Sequence, residues 1–304
     1  MARLRARNRR VLVRTHRTVN RNAFVLGSAA GAVFPVVVRA NELNDEIASA
    51  AAHSSGTVGV WARKLAPSDP VTYNADDRFP SASVIKVVIL TSLFQYSELH
   101  PDVFDQNMTL KLSDFVGGSE ILDGYNPGNT ISIGTLAHAM IEQSDNTASN
   151  VLISFLGFDR IAGTIRRAGL TKTQLHRHFM DVNAIVHHSE NLTSARDMGT
   201  LLYQIERGAH EGVRTVASAK SCRTMIDIML KQEDRDKIAR GIPKGIPLAN
   251  KTGEIDGVRN DIGIVDPYGD SPYIIAVLTK DLDDFSLGNT AIRRIAAAVH
   301  SALY

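Results

Sequence analysis

Strand-like segments stand near both ends of this 304-residue chain, and a long run of helical patterns lies between them. Runs rich in β-branched and apolar residues predict strands at 57–63, 71–73, 248–251, 261–265 and 273–278. An isolated pair of strands is rarely stable, so we expect the strands of the two ends to meet in one antiparallel sheet.

The sequence therefore predicts an α/β fold of the α+β sandwich type, with flanking helices at 41–52 and 291–303. Residues 41–80 together with 231–304 are expected to form the α/β lobe. Residues 81–230 are expected to form an inserted, all-helical lobe. A cleft between two lobes is a common place for a ligand pocket.

The first 40 residues differ in composition from the rest of the chain. Residues 1–22 contain eight arginines and no acidic residue, and the apolar run 23–38 follows them. This pattern, with a Val-Arg-Ala tripeptide ending at Ala40, is typical of an export signal. We therefore expect residues 1–40 to be such a signal and the protein to be periplasmic or extracellular. The alternative is a basic tail on a cytoplasmic protein. The apolar run is too short for a stable membrane span.

Composition excludes several classes of chemistry. Cys222 is the only cysteine, so no intrachain disulfide can form, and no Cys/His spacing of a zinc site occurs. The sequence contains no glycine-rich phosphate loop and no basic stripe for nucleic acid. We therefore expect no metal, no cofactor and no nucleic-acid partner, and a monomer that binds a small molecule.

The segment Ser83-Val-Ile-Lys86 opens a buried, apolar helix that follows Pro80. Residues three apart share one helix face, so Ser83 and Lys86 are predicted neighbours. Ser83 lies in the first turn, where free N–H groups and the helix dipole favour developing negative charge. Burial of Lys86 disfavours its charged form and suits it to act as a base. The alternative is a helix-capping serine beside a lysine that extends to solvent.

A second motif, Ser144-Asp145-Asn146, separates two amphipathic helical segments. Ser, Asp and Asn are preferred helix caps, so the three residues can be simple helix punctuation. The functional interpretation makes Ser144 a proton shuttle and Asn146 a donor to a substrate amide.

A third motif, Lys251-Thr252-Gly253, ends a predicted strand. One interpretation is an edge strand with a solvated lysine. The functional interpretation is a cationic strand that holds an anionic substrate, with Gly253 allowing a substrate backbone to approach closely.

In this order the three motifs resemble those of the penicillin-recognising serine hydrolases, and in particular the class A β-lactamase-like branch. The resemblance covers residues 42–304. It implies that Ser83 is the acylated nucleophile, that Lys86 is the general base or proton relay, and that Ser144 protonates the leaving nitrogen.

The resemblance also implies a substrate that carries an amide and a carboxylate. Lys251 and Thr252 would bind the carboxylate. Arg259 is close in sequence to where class A enzymes often place a carboxylate-binding arginine. The backbone N–H groups of Ser83 and Glu254 would form the oxyanion hole.

One loop departs from the family pattern. Class A β-lactamases carry there a glutamate that activates the deacylating water, whereas alignment on Arg177 and Asn183 puts Phe179 at that position. Phenylalanine cannot accept a proton. Asp181 and His178 are the candidate replacement bases, although neither stands at the expected offset. We therefore predict acylation followed by slow deacylation.

The leading functional hypothesis is a secreted serine β-lactamase-like hydrolase, of the kind that confers antibiotic resistance, which opens a β-lactam through an acyl-enzyme on Ser83. A D-alanyl-D-alanine peptidase or a small-molecule esterase or amidase is the alternative with the same chemistry. A β-lactam-binding sensor or an inactive scaffold is the alternative of another class. Phe179 favours the slower of these functions, whereas the intact motifs argue against an inactive scaffold.

Overall fold

A five-stranded antiparallel sheet forms the centre of the structure. The computed structural model describes residues 34–304 except 120 and 188, and residues 39–304 form one compact unit. In chain order the strands are β1 (Thr57–Lys64), β2 (Val71–Tyr73), β3 (Phe79–Pro80), β4 (Asn107–Thr109), β5 (Thr130–Ser132), β6 (Leu192–Thr193), β7 (Leu248–Ile255), β8 (Val258–Val265) and β9 (Tyr273–Lys280). The order across the large sheet is β2-β1-β9-β8-β7.

The two ends of the chain meet in this sheet. Strand β1 pairs with β9 along its whole length, from Thr57 opposite Lys280 to Lys64 opposite Tyr273. The predicted α/β fold, with an antiparallel sheet built from both ends, is therefore confirmed.

Helices occupy most of the chain between β3 and β7 and also flank the sheet. In chain order they are α1 (Phe34–Ala52), α2 (Lys86–Ser97), α3 (Ile133–Glu142), α4 (Asn146–Leu156), α5 (Phe158–Arg167), α6 (Val182–Val186), α7 (Ala195–Glu211), α8 (Ala219–Met229), α9 (Ile238–Gly241) and α10 (Phe285–Leu303).

The sheet is covered on both faces, and strand β9 illustrates why. Side chains alternate along a strand, so its apolar residues divide between two cores. Ile275 and Val277 pack with the apolar residues of α1 and α10. Ile274 and Leu278 face the other way, into the core that the helical block shares with the sheet. A strand buried on both faces reads as a continuous apolar run, as β9 does.

The predicted serine helix is present, but its first turn is tighter than an α-helix. A 3₁₀ turn covers Ala82–Ile85, and α2 continues directly from it. The nine residues Lys86–Phe94 are all buried. A helix that is apolar on every side belongs in the middle of a core, and α2 lies between the other helices of the block.

Strand β7 extends beyond the glycine at which the sequence predicted its end. It continues to Ile255 because it forms a hairpin with β8, in which Ile255 lies opposite Val258. The two-residue turn is Asp256-Gly257, and Gly257 has φ 72°. Asp-Gly is a preferred pair for tight hairpins, since glycine adopts positive φ without strain.

The helical block is not purely helical within the part of the chain that the structure describes. Strand β4 pairs with β5, and β3 pairs with β6. Helices α7 and α8, which belong to the predicted helical lobe, pack against strands of the large sheet. The boundaries proposed for the lobes, 41–80 with 231–304 and 81–230, remain a prediction.

Helix α1 begins earlier than predicted. The expected start was residue 41, whereas the helix starts at Phe34, with Pro35 in its first turn, where a missing N–H costs no hydrogen bond. Most of the predicted export signal, residues 1–33, lies outside the described residues, so export remains a prediction. Within the described part of the chain, no helix combines the length and apolar character needed to cross a membrane.

Candidate active site

The 3₁₀ turn before α2 presents Ser83 to a cavity of about 390 Å³. Ala82 has φ 43°, a left-handed conformation that is strained for a residue with a Cβ. A Cβ on Gly253 would lie only 2.9 Å from Ser83 N. Strand β7 therefore packs against the serine turn because residue 253 is glycine. The glycine thus accommodates the protein's own backbone, and the approach of a substrate backbone stays a prediction.

Lys86 is fully buried in the turn that follows Ser83. Its Nζ lies 2.5 Å from the Ser144 carbonyl oxygen, 2.9 Å from Asn146 Oδ1 and 3.2 Å from Ser144 Oγ. Among the hydrogen bonds of the described residues, none joins Lys86 to Ser83. Burial, and then the nearby charge of Lys251, hold the pKa of Lys86 well below its usual range. The amine is thus suited to be a neutral base.

The Ser144 hydroxyl joins the two lysines of the motifs. Its Oγ lies 3.0 Å from Lys251 Nζ and 3.2 Å from Lys86 Nζ. Ser144 itself has φ 61°, which is uncommon for a residue with a side chain and is typical of functional turns. This geometry places one hydroxyl between two buried amines.

Asp145 has the structural role that helix punctuation predicts. Its Oδ1 accepts from the N–H of Ala148 at 2.8 Å, which caps α4. Its Oδ2 accepts from the N–H of Leu122 at 3.0 Å, which ties a neighbouring loop to the helix start. The motif therefore combines a buried cap with two neighbours, Ser144 and Asn146, that line the cavity.

Lys251 is as deeply buried as Lys86. Its Nζ contacts Ser144 Oγ and the Thr252 carbonyl oxygen at 2.9 Å. Burial lowers the pKa of Lys251 to about 7, although the carboxylates of Asp261 and Asp234 oppose this shift. Near neutral pH this lysine therefore carries part of a positive charge behind the cavity wall.

Asn146 connects Lys86 with the loop that contains Gly117. Its Oδ1 accepts from Lys86, and its Nδ2 donates to the Gly117 carbonyl oxygen at 2.9 Å. An amide nitrogen carries two hydrogens, so one remains for a further acceptor. The cavity is also lined by Thr252, Gly253 and Glu254.

Phe179 sits over Lys86. The ring centroid lies 4.5 Å from Lys86 Nζ, and the side chain is buried. Asn150 fixes the backbone of Phe179 from both sides, since its Oδ1 accepts from Phe179 N at 2.8 Å and its Nδ2 donates to Phe179 O at 3.0 Å. The loop thus presents an apolar ring to Lys86.

The structure does not bring the two candidate replacement bases into the cavity. His178 Nε2 lies 3.2 Å from Ser154 Oγ, and its ring packs edge-on against Phe158. Asp181 Oδ1 accepts from Ala184 N at 3.0 Å and caps α6. Met180, with φ 59°, turns the chain between Phe179 and Asp181. The side chains of His178 and Asp181 therefore do not contact Lys86 as the Phe179 ring does.

Arg259 also lies outside the cavity wall. Its guanidinium stacks 3.9 Å from the centre of the Phe285 ring, and its Nη1 donates to Val258 O at 2.7 Å and Ile255 O at 3.0 Å. The hairpin places it opposite Glu254, and its Nε is 3.8 Å from Glu254 Oε2. The remaining predicted residues do come together around Ser83, and their roles remain predictions.

A third buried lysine was missed by sequence reasoning. Lys237 Nζ lies 2.5 Å from Asp234 Oδ2 and 2.7 Å from Glu254 Oε1, and both carboxylates line the cavity. Asp261 Oδ2 accepts from the N–H of Ile238 at 2.9 Å and holds this segment against the sheet. The stretch 231–237 is mostly charged, a pattern typical of an exposed loop, so nothing in the sequence indicated a buried ammonium.

Comparison with known proteins agrees with this geometry. The model of the β-lactamase enzyme family matches residues 41–303. Among curated relatives, the β-lactamase CTX-M-8 of Citrobacter amalonaticus is 28% identical over 277 residues, which is 90% of this chain and 90% of the relative. β-Lactamase 3 of Bacillus cereus is 28% identical over 266 residues, 83% of this chain and 78% of the relative.

Solved structures agree as well. An acyl-enzyme complex of a PBP-A point mutant with penicillin G superimposes with a TM-score of 0.77 at 27% identity, covering 86% of this chain and 96% of that one. The β-lactamase of Sphaerobacter thermophilus DSM 20745 gives a TM-score of 0.76 at 27% identity, covering 86% and 97%.

Fold and site together define a serine hydrolase of the β-lactamase type, as the sequence predicted. The chain belongs to the β-lactamase enzyme family.

Proposed function

We propose that this protein is acylated on Ser83 by a β-lactam and hydrolyses the acyl-enzyme slowly. The observation that carries the proposal is the chain of hydrogen bonds from Lys86 through the Ser144 hydroxyl to Lys251, beside the serine turn. Relatives named β-lactamase and the penicillin G acyl-enzyme of PBP-A support a β-lactam as the substrate.

The contacts of Lys86 suit a neutral amine. A neutral lysine has two N–H donors and one lone pair, whereas a charged one has three donors and no acceptor. The Ser144 carbonyl oxygen and Asn146 Oδ1 can only accept, and the Ser144 hydroxyl can donate to the lone pair. The Ser144 oxygen can then accept from Lys251. This arrangement holds a base and a proton donor side by side.

In the acylation step, Ser83 Oγ attacks the lactam carbonyl carbon and its proton passes to Lys86 Nζ. Lys86 must exchange one of its present hydrogen bonds for Ser83 as the substrate enters. When the C–N bond breaks, the nitrogen takes the proton of the Ser144 hydroxyl, and Ser144 regains a proton from Lys86. Lys86 ends neutral, and Ser83 carries the acyl group.

Deacylation lacks the carboxylate base of the family. A water molecule that attacks the ester must lose a proton, and Phe179 presents a ring beside Lys86 where the family has a glutamate. Losing general-base help costs about 100- to 10,000-fold in rate. Asp181 and His178 are engaged elsewhere, which supports slow release.

The test is to mix the pure protein with a chromogenic cephalosporin and follow both colour and intact mass. We expect a burst close to one equivalent, then slow turnover, with an adduct of the substrate's mass on the protein. Ser83→Ala should abolish burst and adduct, because no nucleophile remains. A matched control is Ser81→Ala, which removes a nearby buried hydroxyl and should keep the adduct.

An adduct that persists in Ser83→Ala would overturn the assignment of the nucleophile. Fast turnover without an accumulating adduct would overturn slow deacylation. The peptidase and esterase alternatives are tested in the same way, with a D-alanyl-D-alanine peptide and a simple ester as substrates.

A further inference from the structure

At one end of the cavity, two carboxylates of the protein, Asp234 and Glu254, already pair with the buried Lys237. Lys237 is buried, and its Nζ is shared between Asp234 Oδ2 at 2.5 Å and Glu254 Oε1 at 2.7 Å. Although burial opposes its charge, the two carboxylates raise the pKa of Lys237 above its usual value. The ammonium therefore stays charged, and two of its three N–H groups have carboxylate partners.

The two partners of Lys237 are not equally accessible. The side chain of Asp234 is 31% exposed, and its other carboxylate oxygen accepts from the N–H of Asp236 at 3.0 Å. Burial opposes its charge, but the hydrogen bond to Lys237 and the charge of that lysine lower the pKa of Asp234. Glu254 is 44% exposed, and its other oxygen is 3.8 Å from Arg259 Nε. Glu254 is thus the partner that another carboxylate can replace with the least disturbance of buried contacts.

Glu254 also stands next to the expected point of reaction. It follows Gly253, which packs against the Ser83 backbone, and both residues line the cavity with Ser83. A substrate acylating Ser83 would therefore extend along β7 toward the Glu254 side chain. A carboxylate on that part of the substrate would approach Lys237 from the cavity, where the Glu254 carboxylate is bound now.

We propose that Glu254 is a specificity-determining residue whose carboxylate competes with the substrate's carboxylate for Lys237. The protein then favours β-lactams whose group at this end of the cavity is uncharged. This inference rests on the proposed function, because it concerns acylation of Ser83.

The experiment compares a cephalosporin with its methyl ester at the ring carboxylate. The acylation rate of each is measured by intact mass in the wild-type protein and in Glu254→Gln. The acid-to-ester ratio of rates is the readout, because any effect on the Glu254 backbone acts on both substrates and cancels. We expect Glu254→Gln to raise this ratio about five- to tenfold, the scale of a half-exposed charge contact.

Glu233→Gln is the matched control. Glu233 also lines the cavity, but its carboxylate pairs with Gln143 rather than with Lys237. If Glu233→Gln raises the ratio as much as Glu254→Gln does, a general field effect explains the result and the proposal is wrong. Adding Lys237→Gln to Glu254→Gln should return the ratio toward the wild-type value.

A fluorophosphonate separates the two levels of failure. If it labels Ser83 while neither β-lactam acylates any variant, the proposed function fails and this inference fails with it. If both β-lactams acylate Ser83 and the ratio does not respond to Glu254→Gln, only the inference about Glu254 fails.

Discussion

Lys86 and Lys237 are both buried behind residues that line one cavity, yet their surroundings shift their pKa values in opposite directions. Lys86 meets carbonyl, hydroxyl and amide oxygens, and its pKa is lowered. Lys237 meets two carboxylates, and its pKa is raised. Burial opposes the charge of both lysines, and only at Lys237 do bound carboxylates outweigh it, so that Lys86 can be a base and Lys237 a fixed cation.

The largest expected effect comes from removing the basicity of Lys86. Lys86→Arg should slow acylation at least about 100-fold, because a guanidinium stays protonated at any working pH and cannot accept the proton of Ser83. The acylation rate is followed by intact mass with a β-lactam in excess.

Lys237→Arg is the paired variant on the other side of the cavity. It keeps a positive charge between Asp234 and Glu254. Its loss in acylation rate should be at least tenfold smaller than that of Lys86→Arg, the scale that separates loss of a general base from a conservative change of a charge contact. Equal losses of acylation rate in the two variants would show that the opposite pKa shifts of the two lysines do not matter for acylation.

A smaller effect is expected when a substitution places a carboxylate beside Lys86, as Asp234 and Glu254 stand beside Lys237. In Phe179→Glu the new side chain replaces the ring that lies 4.5 Å from Lys86 Nζ. Release of the acyl group should speed up about 10- to 100-fold, because a carboxylate can take a proton from water. Decay of the adduct by intact mass is the measurement.

Phe179→Gln controls for the loss of the ring, since it is polar but not basic. Release that speeds up equally in both variants would show that access of water, rather than a base, limits deacylation. The pH profile gives a second check, because the new carboxylate should raise the pKa of Lys86 and move the acidic limb of acylation to higher pH.

Acylation by the wild-type protein should itself depend on pH through Lys251. Its pKa of about 7 means that the charge is present below pH 7 and is lost above it. The rate with an anionic β-lactam should therefore fall above pH 7, by up to about tenfold per unit, while the methyl ester falls less. Because the charges of Lys86 and Lys251 interact, the apparent pKa of each limb of the profile describes the two lysines together. Parallel profiles for acid and ester would argue against a role of Lys251 in binding the carboxylate.

The smallest effect on activity is expected far from the cavity, at the buried carboxyl of Glu206. Among the salt bridges of the described residues it has no lysine or arginine partner, and His210 Nδ1 lies 4.0 Å from its Oε1. Glu206 on α7 is fully buried, and among the described residues neither of its oxygens has a hydrogen-bond partner. Burial raises its pKa from 4.5 to about 7. The unfolded chain ionises at the lower value, so the free energy of unfolding should fall as pH rises between these two values.

Glu206→Gln should therefore raise the free energy of unfolding by about 1–3 kcal/mol at pH 8 and change it little at pH 5. Denaturant unfolding at the two pH values is the measurement. Glu211→Gln on the same helix, whose partner Arg207 is exposed, should change stability by less than about 1 kcal/mol at either pH. A gain at pH 5 as large as at pH 8 would contradict the titration.

Most of the reactive residues around the cavity could be predicted from the sequence, because they belong to three short motifs. Ser83 and Lys86 share one helix face, and the three motifs are brought together around one hydroxyl. Asn150 could also have been found, since it lies four residues after Asn146 on α4 and therefore on the same face.

Residues that act through long-range packing could not be predicted in this way. Lys237 is brought to the cavity wall by the hydrogen bond between Asp261 and Ile238, a contact between a strand and a short helix. Arg259 was expected near the substrate, but its packing on Phe285 holds it elsewhere. Such placements depend on tertiary contacts that leave no local pattern.

The pairing of β1 with β9 has a consequence for how the molecule is made. The pairing of Thr57 with Lys280 joins residues from near the two ends of the chain. The centre of the sheet therefore forms only after most of the chain is available, and the contacts of β1 with β9 are among the most distant in sequence. Folds dominated by distant pairings form slowly and leave strand edges open meanwhile. The contact of Lys251 with the Ser144 hydroxyl is also distant in sequence, because 107 residues separate the two. If a tagged β-lactam reacts with Ser83, its labelling during refolding would therefore measure the fraction of molecules that are fully folded.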